Sequence, residues 1–143
     1  MVQIQTTYRG DLHCEAEHMP SGNKLVTDAP KDNRGRGEAF SPTDLIATSL
    51  GTCIATILGI QAQDLDLDLE GMRVTVEKHM AEGPRRISRL QTNVWMPAAL
   101  DDDLVDRLER AARGCPVHHS IHPDIESPIV FHWPQKKTAD SAA

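Results

Sequence analysis

The chain has 143 residues, a formal net charge of −6 and a sequence pI near 5.6. It is the size of one ordinary domain and carries no basic stripe that could neutralise a nucleic-acid backbone. Aromatic residues make up only 3%, which leaves the core to Leu, Ile, Val, Ala and Met and raises the expectation that a second copy of the chain completes the burial.

From the N-terminus, Met1 to Thr7 alternates apolar and polar residues and has no charged segment followed by an apolar run. It therefore lacks the pattern of a secretory signal, and the expected compartment is the cytoplasm. Short strands are predicted at Val2 to Tyr8, Leu12 to His18 and Lys24 to Thr27, separated by the turn signals Arg9-Gly10-Asp11 and Pro20-Ser21-Gly22-Asn23. Asp28 to Glu38 is polar, with Pro30, Gly35 and Gly37, and reads as a loop long enough to carry function.

Ser41, Pro42 and Asp44 form an S-P-x-D start, which predicts a capped helix from Pro42 to Gln63. Ile46, Leu50, Cys53, Ile57 and Ile60 recur at steps of four and three, and Leu45, Ala47, Ile54, Ala55 and Leu58 widen the apolar stripe to most of the circumference. Such a helix is expected to be buried. Interruption by Thr43, Asp44, Thr48, Ser49, Thr52 and Thr56 argues against a membrane span, which needs roughly 18 to 20 apolar residues.

A strand pair, Met72 to Met80 and Ile87 to Met96, is predicted around Ala81-Glu82-Gly83-Pro84. Asp101-Asp102-Asp103 then opens a helix that Gly114 ends, a short helix runs from Pro116 to His122, and a last strand covers Pro128 to Trp133. The expected order is β-β-β-α-β-β-α-α-β in a single domain over 1–134, followed by a polar tail at 135–143.

The three cysteines, Cys14, Cys53 and Cys115, are odd in number, widely spaced and never arranged as CxxC. This argues against a secreted disulfide scaffold, a zinc knuckle and a thioredoxin motif. Cys14, in a strand between His13 and Glu15, reads as a packed or exposed sheet residue. Cys53 lies midway along the apolar helix, where a free cysteine is either an inert small hydrophobe or, given a positive partner, a nucleophile. Arg34 and Arg36 in the preceding loop can supply that charge, or can simply be solvated. Cys115 directly precedes Pro116, so its sulfur either sits near the unpaired N–H groups and positive dipole end of a helix, which favour the thiolate, or simply fills an interhelical turn. If the fold brings the two cysteines together, they can oxidise through a sulfenic acid to a disulfide. His118, His119 and His122 form H-H-x-x-H, with His118 and His122 spaced to share a helix face. That leaves a metal reading open, although the Glu of a zincin is missing.

Phe40-Ser-Pro-Thr-Asp-Leu-Ile-Ala-Thr-Ser-Leu-Gly-Thr-Cys53 resembles the central helix of the OsmC/Ohr superfamily, and Cys115-Pro116-Val117 resembles its second-cysteine motif. The resemblance implies an α+β fold with curved antiparallel sheets around a long central helix, in an intertwined homodimer with each active site at the interface. It implies a cofactor-free, metal-free thiol peroxidase of oxidative-stress defence. Cys53 would attack an organic hydroperoxide, Cys115 would resolve the sulfenic acid, and an external dithiol would restore both. Better-known members activate the first cysteine with an Arg held by a Glu near the helix start. Here Thr43 stands at that Glu position, Arg34 is the leading counterpart of the Arg with Arg36 second, and Glu38 is a candidate for the missing carboxylate. The rival reading is a non-catalytic protein of the same fold that binds a small apolar or thiol-reactive ligand at the dimer interface. Neither nucleic acid nor membrane is an expected partner.

Overall fold

The computed structural model describes residues 1–136, so the tail expected at 135–143 lies outside the described residues after its first two positions. The elements are β1 (Ile4–Gly10), β2 (His13–His18), β3 (Lys24–Asp28), a 3-10 turn (Lys31–Asn33), α1 (Pro42–Asp64), β4 (Arg73–Ala81), β5 (Arg86–Trp95), α2 (Asp102–Arg113), α3 (Pro116–Ser120) and β6 (Ile129–His132). Helices and strands follow the expected order. The chain divides into two compact units, Met1–Ile46 and Ala47 onward.

In the first unit β1, β2 and β3 form an antiparallel sheet in chain order. Residues directly opposite in such a pair share a face. The register therefore collects Ile4, Thr6, Tyr8, Cys14, Ala16 and Leu25 on one side, and Gln5, Glu15, Glu17 and Lys24 on the other. The first of these sides is the more apolar, yet Ile4, Tyr8 and Leu25 are exposed, and the buried residues of the unit are the polar Thr27, Asp28 and Ser41.

The loop after β3 is tightly wound. The Gly35 N–H donates to the Pro30 carbonyl at 3.0 Å and the Gly37 N–H to the Ala29 carbonyl at 3.3 Å. A Cβ at Gly35 would sit 1.7 Å from the Ala29 carbonyl oxygen, so no other residue fits there. Beyond the loop, α1 opens with a reciprocal capping box. The Asp44 N–H donates to Ser41 Oγ at 3.1 Å, and the Ser41 N–H donates to Asp44 Oδ2 at 2.8 Å.

In the second unit β4 and β5 pair antiparallel, and β6 joins β5 in parallel. This second sheet is therefore mixed rather than antiparallel throughout. Two helices separate β5 from β6, giving the chain the length a parallel return requires. The core comprises Ala47, Leu50, Ile54, Leu58 and Ala62 of α1 with Leu90 and Val94 of β5, Leu108 and Ala112 of α2, and neighbours.

The core-facing stripe of α1 thus differs from the expected one. Leu50 and the secondary positions Ala47, Ile54 and Leu58 face the core, while Ile46 and Ile60 are exposed. An almost all-round apolar helix leaves its buried face undecided, and packing against β4 selects it. Gly51 marks a close approach to β4, since a Cβ there would meet Val76 Cγ2 at 3.2 Å. By length and composition α1 also qualifies as a membrane span, contrary to expectation. Complete burial of Leu50, Ile54 and Leu58 is how a core helix behaves.

Leu58 has no exposed surface, so Leu58→Ala removes buried methyl groups and leaves a cavity. Urea denaturation is expected to report a loss of about 2–5 kcal/mol.

Candidate active site

Cys53 sits in the middle of α1 and is half-buried. The second thiol reaches it from the α2–α3 connection. α2 ends where the Gly114 N–H turns back to the Ala111 carbonyl at 3.1 Å and the Cys115 N–H to the Ala112 carbonyl at 3.4 Å. Pro116 then starts α3 at once, which its fixed φ and missing N–H suit. Cys115 is the N-cap of α3, and its Sγ accepts the His118 N–H at 3.4 Å.

The two cysteines are neighbours: Cys53 packs against the core cluster that contains Cys115 and shares a cleft with Pro116 and Val117, and neither is in a disulfide. Of the two readings open for Cys115, a thiolate favoured by the helix terminus and a thiol filling the interhelical turn, the structure favours the second. Cys115 is fully buried, and burial pushes its thiol above the ordinary 9.0, with the Cys53 sulfur adding to the rise and the His118 N–H opposing it. Desolvation outweighs the cap here, and Cys115 is a protonated thiol beside its partner.

Beside Cys53 opens a cleft of about 430 Å³, lined by Ser49, Thr52, Cys53, Thr56, Ile57, Pro116 and Val117. The hydroxyls of Thr52 and Thr56 donate at 2.8 Å to the carbonyls of Thr48 and Thr52. Their hydrogen-bonding capacity is spent on the helix itself, and the cleft is correspondingly apolar. These wall residues were not singled out from the sequence. The signal was available, because positions one turn from Cys53 share its side of the helix.

The other site candidates lie in the Met1–Ile46 unit. Arg34 closes the 3-10 turn at φ 71° and is exposed. Arg36, ranked second by sequence, is the one that pairs with Glu38, Nη1 to Oε1 at 3.5 Å. The second oxygen of Glu38 meets His13 Nε2 at 3.0 Å. Thr43, standing where the family Glu was expected, meets Ser41 Oγ through its hydroxyl at 3.2 Å, and Asp44 is engaged in capping as anticipated.

The histidine cluster disperses. α3 ends at Ser120 because Ile121 is extended, so His122 falls outside the helix and shares no helix face with His118. His118 Nε2 lies 3.0 Å from Ser127 Oγ, and His122 Nδ1 accepts the Asp124 N–H at 3.0 Å. Among the described residues these histidines form no group able to hold a metal.

The site joins a cysteine in the middle of the long helix to a cysteine at a Cys-Pro helix start on an α+β fold. The OsmC-like protein family model matches residues 35–128, and the chain belongs to that family. An osmotic stress induced and detoxification response protein from Psychrobacter arcticus is 46% identical, with a TM-score of 0.89 over 92% of this chain and 96% of that one. The organic hydroperoxide resistance protein OsmC from Legionella pneumophila shares the fold at 17% identity and a TM-score of 0.73, over 92% of this chain and 96% of that one. OhrB of Bacillus subtilis does so at 13% and 0.68, over 92% and 98%. No curated protein matches the chain.

Differential alkylation checks the two-thiol geometry. Near pH 8 iodoacetamide is expected to modify half-buried Cys53 at least roughly tenfold faster than Cys115, and Cys115 to react in the folded chain only above pH 9. Peptide mass spectrometry reads both.

Proposed function

We propose that this protein is a cofactor-free thiol peroxidase that reduces organic hydroperoxides by a two-cysteine mechanism. The observation that carries the reading is the neighbouring placement of Cys53 and Cys115 at the edge of an apolar cleft. The hydroperoxide resistance proteins among its structural neighbours support the substrate class.

Cys53 attacks the distal oxygen of ROOH as a thiolate, because the thiolate is the nucleophile. The O–O bond breaks, the sulfur takes that oxygen as a sulfenic acid, and the alkoxide leaves and takes a proton to become ROH. The Cys115 sulfur then attacks Cys53 sulfur. The S–S bond forms, the sulfenic S–O bond breaks, and the departing hydroxyl takes the Cys115 proton to leave as water. An external dithiol reduces the disulfide and is itself oxidised. A buried resolving thiol suits this sequence, since it is sheltered from the peroxide yet lies beside the helix that carries the sulfur it must reach. The apolar cleft favours alkyl or aryl hydroperoxides over hydrogen peroxide, which has no apolar part to bury.

Arg36, with Arg34 beside it in the loop, is our candidate for the guanidinium that activates Cys53, and Glu38 for the carboxylate that steadies it. The working form we propose is a homodimer, in keeping with the exposed Ile4, Tyr8 and Leu25 on one face of the first sheet and the exposed Ile60 on α1. A three-stranded sheet that buries no large apolar side chain gains stability only when something covers it.

Stopped-flow consumption of cumene hydroperoxide by the reduced protein tests the chemistry. Fast turnover is expected to vanish in Cys53→Ser, and Cys115→Ser to accumulate a sulfenic acid that dimedone traps. Wild-type protein reacting no faster than free thiol would sink the peroxidase reading and leave the cleft as a binding site for an apolar ligand. Sedimentation equilibrium tests assembly. The wild type is expected at twice the 15.8 kDa of one chain, with Leu25→Glu shifting it toward monomer.

A further inference from the structure

His13, Asp28 and Glu38 bring three ligand-type atoms together within 4.8 Å of one another, all inside the Met1–Ile46 unit. The hydrogen bonding around them is over-determined in one respect. His13 Nδ1 lies 2.7 Å from the Asp11 carbonyl. A carbonyl only accepts, so Nδ1 carries the proton and a neutral ring presents its lone pair at Nε2. That Nε2 faces Glu38 Oε2 at 3.0 Å and Asp28 Oδ1 at 3.6 Å. Three acceptors then converge with no donor between them, an arrangement that only a cation in the middle can satisfy: a proton on Nε2 or a metal ion.

The depth of Asp28 distinguishes this cluster from a patch of surface charge. Its side chain is fully buried. Oδ2 accepts the Arg36 and Glu38 N–H groups at 3.2 and 3.0 Å, which orients the carboxylate, whereas Oδ1 has no hydrogen-bond partner among the described residues and is aimed at Nε2. An orphaned buried oxygen is costly unless something occupies the space in front of it. Glu38 divides its two oxygens, Oε1 to Arg36 at 3.5 Å and Oε2 to the cluster.

We propose that His13 Nε2, Asp28 Oδ1 and Glu38 Oε2 form a binding site for a divalent transition-metal ion of the zinc class. Zinc bonds of about 2.0–2.2 Å to nitrogen and oxygen at a tetrahedral angle put neighbouring ligand atoms about 3.3–3.5 Å apart. The 3.0 and 3.6 Å separations bracket that edge. Hydrogen bonding of Nδ1 to a main-chain carbonyl is the second-layer arrangement that fixes a histidine for ligation through Nε2. With one nitrogen and two carboxylates the donor set is harder than a thiolate site, and a fourth position stays open to water. A bound ion would tie β2, the end of β3 and the Arg36–Glu38 loop into one rigid piece. The site shares Glu38 with the proposed activation of Cys53 and is tested without measuring activity.

The experiment is calorimetric titration of the reduced full chain with zinc, alongside Glu38→Gln, His13→Gln and a His118→Gln/His122→Gln control, with cobalt spectra to identify the ligands. Glu38 is exposed, so its near-isosteric replacement leaves the fold testable, and circular dichroism checks each variant. The expected result is one equivalent per chain, at least tenfold weaker binding in Glu38→Gln and in His13→Gln, an unchanged control, and a cobalt spectrum without a thiolate charge-transfer band. Binding unchanged by Glu38→Gln and His13→Gln, a thiolate band, loss of binding in the control, or no stoichiometric binding would each overturn the proposal.

Discussion

The seating of α1 on β4 is the contact on which the rest of the second unit depends. Gly51 lets the helix backbone approach Val76 closely, and Leu50, Ile54 and Leu58 then lose all exposure. In a helix of 3.6 residues per turn, fixing that face also fixes its neighbours. Cys53 is thereby turned to the margin of the core, half-buried, with Thr52 and Thr56 along the same cleft. A helix rotated by one position would bury the thiol or give it to solvent.

Opposed forces act on the two sulfurs. An N-cap position draws a thiol toward ionisation, and full burial pushes it away. At Cys115 burial prevails, so the motif that looked like an activated nucleophile holds the proton instead. This gives the pair an asymmetry without any metal or charged residue in the second unit having to supply it. One sulfur belongs to a residue lining the cleft, and the other is fully buried close by. Such a division of labour is what a peroxidatic and a resolving cysteine need.

The first unit follows a different physical logic. Its sheet buries no large apolar side chain, and its order comes from polar bonding: the Ser41–Asp44 capping box, the Gly35 and Gly37 turns, and the Asp28 carboxylate around which the Arg36 and Glu38 amides wrap. The loop that carries Arg34, Arg36 and Glu38 is organised around a buried acid. Its geometry couples the Arg36–Glu38 pair to His13 through a single carboxylate.

Much of this was legible in the sequence. The capping box, the apolar run, the turn glycines and the Cys-Pro start of α3 are local signals, and each element they announced is present, because caps and turn residues act within a few positions of themselves. The two cysteine motifs also carried the family. Tertiary structure alone decided which side of α1 faces the core, because an apolar surface around most of a helix is equally consistent with several rotations. It decided that β6 runs parallel to β5, that α3 stops before His122, and that burial outweighs the cap at Cys115. His13 and Asp28 lie fifteen positions apart in chain order, and their meeting with Glu38 follows from sheet register and loop closure. No sequence spacing encodes that encounter, because long-range proximity is set by packing and by the path of the loop.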